Sequence, residues 1–140
     1  MTEIELAYLA GFFDGEGSVV LYPERRAKRG SWKMIIEVRN VDKLSIELFH
    51  VAFGGSVKPI LSENPNWKDY WAWTCEARLA ETALRAMLPY LRLKRERVLV
   101  ALEYRSTVRQ GRPYYTDAER QNQTRLALLL RKLNKRGRAA

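Results

Sequence analysis

A change of hydrophobic period occurs twice along this chain and limits the folds that it can adopt. Leu6, Leu9 and Phe13 recur at spacings of three and four residues, as on one face of a helix. Strand patterns follow, most clearly from Trp32 to Asn40, where every second residue is apolar. Both patterns then recur in the same order, so the sequence contains two consecutive units of one helix and two strands.

Caps, turns and breakers set the remaining boundaries. Gly15 and Gly17 end the first helix, and Asp42 is a candidate N-cap for the second. Strands that arrive as hairpins favour an antiparallel sheet with helices on one face. The predicted class is therefore α+β in the order αββαββα, with further C-terminal helices. After the first helix we predict strands at 18–22 and 32–40, a helix at 42–53, strands at 56–61 and 68–75, and helices at 76–87, 93–108 and 117–133.

Length and composition predict one domain with its own core, since the chain has 140 residues and 46% of them are apolar. We expect the core at about 4–108, a C-terminal helical extension at about 114–134 and a basic tail at 135–140. No apolar run is long enough to span a membrane, and the acidic start at Met1–Glu5 is unlike a signal peptide. The lone Cys75 excludes an internal disulfide. These features predict an intracellular protein that is not secreted and has no membrane partner, in the cytoplasm of a prokaryote or in an organelle.

The charge of the chain is strongly positive, with 25 Lys and Arg against 16 Asp and Glu and a net charge of +9. Such a field favours a polyanion as partner, most often nucleic acid. A basic protein with scattered surface cations would show the same count, so charge alone does not decide. The cations concentrate at residues 25–33, 92–97 and 131–138.

The end of the first helix carries the residues that point to chemistry. Glu16 stands between Gly15 and Gly17, where the backbone is open to a bulky ligand. A carboxylate beside the exposed carbonyls of a helix C-terminus suits a hard cation such as Mg²⁺. A helix stop followed by a turn would have the same residues, so the local chemistry leaves both interpretations open.

A stripe of small residues lies beside the apolar face of this helix and would allow a second copy to pack closely against it. A two-fold pairing would then bring together one Glu16 from each subunit. Two acids that share metal ions form a centre able to cleave phosphodiester bonds. The candidate contact residues are Ala7, Ala10, Gly11 and Asp14.

The string LAGFFDGEG at Leu9–Gly17 resembles the LAGLIDADG signature of a family of homing endonucleases. Glu16 stands where the signature has its final Asp, and Gly15 takes a small position. Three later segments resemble the family in order and spacing, so that the resemblance covers roughly residues 4–108. It implies the αββαββα fold and site-specific hydrolysis of double-stranded DNA, with a staggered break that leaves 3′ overhangs. The matching signature positions are Leu9, Ala10, Gly11, Asp14 and Gly17, and the later segments are Val38–Asp42, Phe53–Val57 and Leu88–Lys94.

The resemblance also implies roles for individual residues. Glu16 matches the metal-binding catalytic acid, and the backbone carbonyl of Gly15 matches a second ligand of the same ion. Asn40 matches a polar position near the active-site water, and Lys94 matches a lysine beside the scissile phosphate, where it stabilises charge or helps to activate water. In one respect the chain departs from the family. The basic residue that some members carry in the next helix is either Lys43 or missing.

One motif supplies one acid, so the resemblance implies a homodimer with two-fold symmetry. It implies two or three Mg²⁺ ions per dimer active centre, with Mn²⁺ as a possible substitute. The DNA target would be roughly palindromic, with two half-sites of about one helical turn and a total on the order of 20 bp.

One face of the predicted sheet is expected to contact DNA, through both base edges and phosphates. A solvated sheet face would have the same polar pattern, so this prediction depends on the resemblance. In the fourth strand, alternation leaves open whether Trp71 and Trp73 or the intervening Tyr70, Ala72 and Thr74 face the core. The expected DNA contacts are Tyr22, Arg25, Arg26, Lys28, Arg29, Lys33, Glu37, Arg39, Ser56 and Lys58.

Two other functions remain open on the same scaffold. An RNA-binding maturase that assists intron splicing would use the same fold and a similar basic surface. A DNA-binding regulator that does not cut would need no catalytic acid, although Glu16 is present. The basic tail either contacts phosphates that flank the site or is a solvated terminus. His50 and Cys75 are assigned structural roles.

Overall fold

The structure is a computed structural model that describes residues 1–24, 31–111 and 114–138. The predicted order αββαββα with C-terminal helices is confirmed, and a short 3₁₀ helix that the sequence did not predict precedes α4. The elements are α1 (Glu3–Glu16), β1 (Gly17–Pro23), β2 (Trp32–Asn40), α2 (Lys43–Phe53), β3 (Ser56–Ile60), β4 (Tyr70–Glu76), α3 (Ala77–Met87), the 3₁₀ helix (Leu88–Tyr90), α4 (Arg95–Ser106) and α5 (Asp117–Arg138). No helix in the described ranges is both long and apolar enough to cross a bilayer.

The four strands form one antiparallel sheet in the order β1-β2-β4-β3. β1 and β2 form a hairpin in which Gly17 lies opposite Val38. β2 also pairs with β4, where Val38 lies opposite Trp73, so the two sequence units join at the centre of the sheet. This register is well defined because a slip of one residue would turn the apolar set of each strand towards solvent.

The helices cover one face of the sheet, and Trp73 lies at the centre of the core between them. Its ring stacks on Phe49 with centroids 5.0 Å apart, and its indole N–H donates to the carbonyl of Gly54 at 2.7 Å. Trp73 is fully buried, whereas Thr74 lies beside Glu37 on the other face of the sheet. This decides which of the two alternating sets of side chains in β4 faces the core. Trp71 and Trp73 lie on the core side of β4, and Tyr70, Ala72 and Thr74 lie on the other side, where the small side chain of Ala72 is also buried.

Side chains cap the helices where the sequence carries the expected residues. The Thr2 hydroxyl accepts from the Glu5 N–H at 3.1 Å and the Glu5 carboxylate accepts from the Thr2 N–H at 2.7 Å, which is a capping box. Thr116 forms the equivalent pair with Glu119 at the start of α5. The predicted cap at Asp42 is also confirmed, since its carboxylate accepts from a backbone N–H in the first turn of α2.

Helix α5 is longer than the sequence predicted, because it continues to Arg138 rather than ending near residue 133. Leu126, Leu130 and Leu133 are buried on one side of it and pack with α4 and β1. The segment predicted as a basic tail from residue 135 therefore begins inside a helix.

Candidate functional site

Glu16 is the last residue of α1, and its exposed side chain stands where the helix turns directly into β1. The Gly17 N–H donates to the carbonyl of Phe13 and closes the helix. A Cβ at residue 17 would lie 2.3 Å from the Phe13 ring, so only glycine fits this junction. The position of Glu16 is therefore set by the close packing of the residue that follows it.

Asp14 links the end of α1 to the start of α4. Its carboxylate accepts hydrogen bonds from the backbone N–H groups of Arg92 at 3.1 Å, Leu93 at 3.0 Å and Lys94 at 2.9 Å. These three N–H groups belong to the residues that lead into α4, so Asp14 fixes the entry to that helix. Burial raises the pKa of the Asp14 carboxyl, but the hydrogen bonds outweigh burial and hold the pKa below its usual value.

The prediction that Ala10 and Asp14 lie on an outer surface of α1 is wrong. Ala10 has no exposed surface and Asp14 is 8% exposed, because both lie on the helix side that packs against the rest of the chain. Residues four apart share a helix face, so the two are buried together. Of the predicted dimer contacts, Gly11 is exposed and Ala7 is partly exposed.

Lys94 is partly buried, and its ammonium donates to the backbone carbonyl of Asp14 at 2.6 Å. This places a cation at the negative end of α1, which has no basic residue of its own in its last turn. Burial and the nearby Arg97 lower the pKa of Lys94 below that of an ordinary lysine, although the negative charges of Asp14 and Glu16 act in the opposite direction. The structure thus places the Lys94 ammonium at the end of the helix whose last residue is Glu16.

Asn40 lies at the end of β2, two residues beyond the partner of Gly17. Its side-chain oxygen accepts the backbone N–H of Asp42 at 2.9 Å and braces the turn into α2. Lys43, the candidate for the additional basic role, pairs with Glu47 at 3.4 Å and lies 4.6 Å from the centre of the Trp71 ring. Both side chains therefore make contacts on or beside α2, and their roles in catalysis stay predictions.

The available metal ligands are oxygen atoms at the end of α1. Gly15 is exposed, with no atom within 4 Å of the position that a Cβ would take, so its backbone is accessible. The Gly15 carbonyl and the Glu16 carboxylate are hard donors of the kind that suits Mg²⁺. Within the described part of the chain, no three His, Cys, Asp or Glu side chains cluster. One chain therefore supplies a donor set of the right chemistry that is incomplete without other oxygen ligands.

The sheet face turned away from the helices carries the predicted DNA contacts that the structure describes. By strand register it also includes the outward residues of β4, Tyr70, Thr74 and Glu76. The predicted contacts in the segment 25–30, namely Arg25, Arg26, Lys28 and Arg29, lie outside the described residues. Those within the described ranges are Tyr22, Lys33, Glu37, Arg39, Ser56 and Lys58.

Several charges on this face are paired with one another. Lys33 pairs with Glu76 at 2.6 Å, and this contact raises the pKa of Lys33. Arg39 pairs with Glu37, and its guanidinium lies 5.6 Å from the centre of the Tyr70 ring. Exposed pairs of this kind contribute only about 0–1 kcal/mol, so a polyanion can displace them at little cost.

The Asp14 network is the part of the site that sequence reasoning missed. No local pattern could have revealed it, because the Asp14 carboxylate and its three N–H donors lie 78 to 80 residues apart in the sequence.

No protein-family model and no curated protein sequence matches the chain. Among solved structures, the homing endonuclease I-CvuI in complex with its target is 20% identical over 93% of this chain and 82% of its own, with a TM-score of 0.74. The archaeal intron-encoded homing endonuclease I-Vdi141I complexed with DNA is 16% identical over 94% and 84%, with a TM-score of 0.76. The meganuclease I-SmaMI bound to uncleavable DNA is 16% identical over 94% of this chain but 46% of its own, with a TM-score of 0.68. The chain therefore has the fold of the LAGLIDADG homing endonucleases, as the signature at Leu9–Gly17 predicted.

Proposed function

We propose that the protein is a homing endonuclease that hydrolyses phosphodiester bonds at a specific site in double-stranded DNA, with a divalent metal ion. The observation that carries this proposal is the position of the Lys94 ammonium at the C-terminal end of α1, the helix that ends at Glu16. Asp14 holds the lysine there through backbone hydrogen bonds and through its own carbonyl. The fold is shared with enzymes whose structures were solved on DNA.

The Glu16 carboxylate and the Gly15 carbonyl would hold the metal ion, with water and DNA phosphate as further ligands. When bound, such an ion lowers the pKa of coordinated water and neutralises charge on the phosphate. Mg²⁺ is the ion we propose, with Mn²⁺ as a substitute. Use of a divalent ion is supported by two I-CvuI structures, one obtained in the presence of 2 mM Ca and the other in the presence of 2 mM Mg with the DNA not cleaved.

Lys94 would act on the phosphate rather than on the metal. Its ammonium lies at the mouth of the site, where a positive charge stabilises the extra negative charge that a phosphate gains in the transition state. Asn40 would orient the attacking water from the end of β2, once the approach of DNA rearranges the turn that its side chain now braces. The geometry supports a role for Lys94 more directly than one for Asn40, because Lys94 already contacts the end of α1.

The protein would act as a homodimer in which the outer faces of two α1 helices pack together. Gly11 and Gly15 both lie on this face, and neither has an atom within 4 Å of a Cβ position, so nothing inside the chain requires glycine there. A glycine in the middle of a helix costs about 0.5–1 kcal/mol relative to alanine. Close approach of a second helix explains why that cost is tolerated.

Exposed apolar side chains beside these glycines support the same position for the dimer contact. Ile4 is 84% exposed and Val51 is 82% exposed, and together with Tyr8 and Leu48 they line a groove of about 640 Å³ between α1 and α2. A second copy would remove this apolar area from water. This chain covers 46% of the I-SmaMI chain. The longer I-SmaMI chain therefore has room for two such units.

Pairing across a two-fold axis would bring two Glu16 carboxylates together and align two sheets along one duplex. We infer a roughly palindromic target on the order of 20 bp, in which each sheet contacts one half-site through the major groove. The staggered cut with 3′ overhangs is the pattern that the resemblance to the family implies.

Selection of cleaved duplexes from a randomised DNA library with Mg²⁺ tests this proposal. The recovered sites should share one sequence with approximate two-fold symmetry, and sequencing of their ends should reveal 3′ overhangs. Recovery of no cleaved product at any protein concentration, while duplexes are still bound, would identify a regulator that does not cut. Protein-dependent intron splicing without DNA cleavage would instead identify a maturase.

A further inference from the structure

The C-terminal part of α5 concentrates positive charge that the proposed active site does not use. Residues 125–138 contain six Arg and Lys and no Asp or Glu. Within the described part of the chain, no ion pair involves Arg131, Lys132 or Lys135, and all three are exposed. Like charges so close on one helix repel one another unless an anion lies nearby.

This part of α5 is fixed to the edge of the sheet. β1 is an edge strand, and the side-chain amide of Asn134 donates to the carbonyl of Val19 in that strand at 3.0 Å. Leu130 is 1% exposed, so an apolar contact anchors the same turn. The helix therefore covers the β1 edge, and its cations are held at a defined place beside the sheet.

The cations of α5 divide into two sets by helix face. Arg131 and Lys135 are four residues apart and line a groove of about 180 Å³ with Tyr22 of β1. Tyr22 is 54% exposed and belongs to the open face of the sheet. Arg125 and Lys132 are seven residues apart and thus share a different face of the helix, and neither lines the groove.

We propose that Arg131 and Lys135 bind phosphates of duplex DNA along the β1 edge, next to the base pairs that the sheet contacts. The proposal rests on the proposed function, because a sheet that lies in the major groove places its edge strands beside the phosphate backbones. Phosphates complement the unpaired charge on this groove, and contacts to them position a protein without carrying sequence information.

The test compares two double variants that remove the same charge from different faces of α5, R131Q/K135Q inside the groove and R125Q/K132Q outside it. Equilibrium binding to a duplex recovered from the library selection is measured in Ca²⁺ at several KCl concentrations. Because the proposed homodimer carries two copies of each residue, we expect R131Q/K135Q to bind more weakly and to reduce the magnitude of the slope of log K against log salt by about 3–4, whereas R125Q/K132Q changes the slope little. In an ethylation interference experiment, ethylation of the same phosphates in both DNA half-sites should weaken binding of the wild type and of R125Q/K132Q. It should have no effect on the binding of R131Q/K135Q.

Two results would overturn the proposal: equal slopes for both double variants, or a wild-type slope in R131Q/K135Q. Thermal unfolding checks that each variant is folded, and Lys135→Gln alone, with an expected slope change of about 2 for the homodimer, replaces the double variant if it is not. Failure of the proposed function has a separate signature, because the wild-type protein itself would then yield no cleaved duplex in the selection.

Discussion

Asp14 and Lys94 hold each other at the junction of α1 and α4. The backbone N–H of Lys94 donates to the Asp14 carboxylate at 2.9 Å, and the Lys94 ammonium donates to the Asp14 carbonyl at 2.6 Å. Because Glu16 follows Asp14 by two residues, this pair sets the lysine relative to the proposed metal-binding acid. One buried carboxylate thus fixes the segment that leads into α4 and positions a catalytic candidate.

Replacement of that carboxylate should weaken the fold in a pH-dependent way. Asp14→Asn should lower the free energy of unfolding by about 1–3 kcal/mol, because the amide cannot accept from every N–H that Asp14 satisfies. Hydrogen bonds hold the pKa of Asp14 below its usual value, so its contribution is present above about pH 4 and is lost as the pH falls through the lower native pKa. Urea denaturation between pH 2 and pH 7 measures both effects.

The difference between wild type and Asp14→Asn should therefore shrink below about pH 4. The exposed Asp117→Asn serves as the control, and it should change stability by no more than about 0.5 kcal/mol. A difference that stays constant down to pH 2 would show that the carboxylate charge is not what stabilises the junction.

Loss of the Lys94 ammonium should slow cleavage much more than it weakens DNA binding. Lys94→Gln should reduce the single-turnover cleavage rate by about 10²–10³-fold. Burial and Arg97 lower the pKa of Lys94. The cleavage rate of the wild type should therefore begin to fall at a pH below the range in which an ordinary lysine loses its proton. Arg97→Gln removes a neighbouring positive charge and should move that fall to higher pH. An identical pH profile in Lys94→Gln and wild type would exclude Lys94 as the ionising group.

The outer face of α1 offers a direct test of dimerisation. Gly11→Met should leave the protomer folded, since no atom lies within 4 Å of the new Cβ, but it should weaken the dimer by filling the space that a second helix needs. Sedimentation equilibrium gives the dimer dissociation constant, and circular dichroism reports folding. Gly17→Ala is the matched contrast, because its Cβ would lie 2.3 Å from Phe13 and should destabilise the protomer itself by about 1–3 kcal/mol. Dimers of Gly11→Met as tight as those of wild type would place the interface elsewhere.

The core depends on the indole of Trp73. Trp73→Phe should cost about 1–3 kcal/mol, because the carbonyl of Gly54 loses its hydrogen bond and the ring stacked on Phe49 becomes smaller. Trp67→Phe is the control, since Trp67 is 72% exposed and its replacement should change stability by no more than about 0.5 kcal/mol. Equal urea midpoints for the two variants would contradict the position given to Trp73 in the core.

Elements with strong local signals could be predicted from the sequence. The alternation from Trp32 to Asn40 gave the bounds of β2, and the cap at Asp42 gave the start of α2. The outward face of β4 could not be predicted, because both alternating sets contain aromatic residues. Pairing with Val38 in a strand more than thirty residues away decides it.

The site was predicted in part, and the failures have one physical cause. The signature located Glu16, and its relation to Lys94 followed from the family resemblance. Small residues on a helix do not reveal which of them a distant segment will cover, so Ala10 and Asp14 were assigned to the wrong face. The bonds that bury Asp14 reach residues 78 to 80 positions away, and no local pattern encodes contacts at that distance.

Single-turnover cleavage by Glu16→Gln tests the central claim most directly. The assay uses a duplex recovered by the wild-type protein, saturating Mg²⁺ and a parallel measurement of DNA binding in Ca²⁺. Glu16 is exposed and makes no contact in the core, so the variant should fold and bind DNA with nearly wild-type affinity. The account predicts that cleavage becomes undetectable while binding persists. Cleavage by Glu16→Gln at the wild-type rate would contradict it.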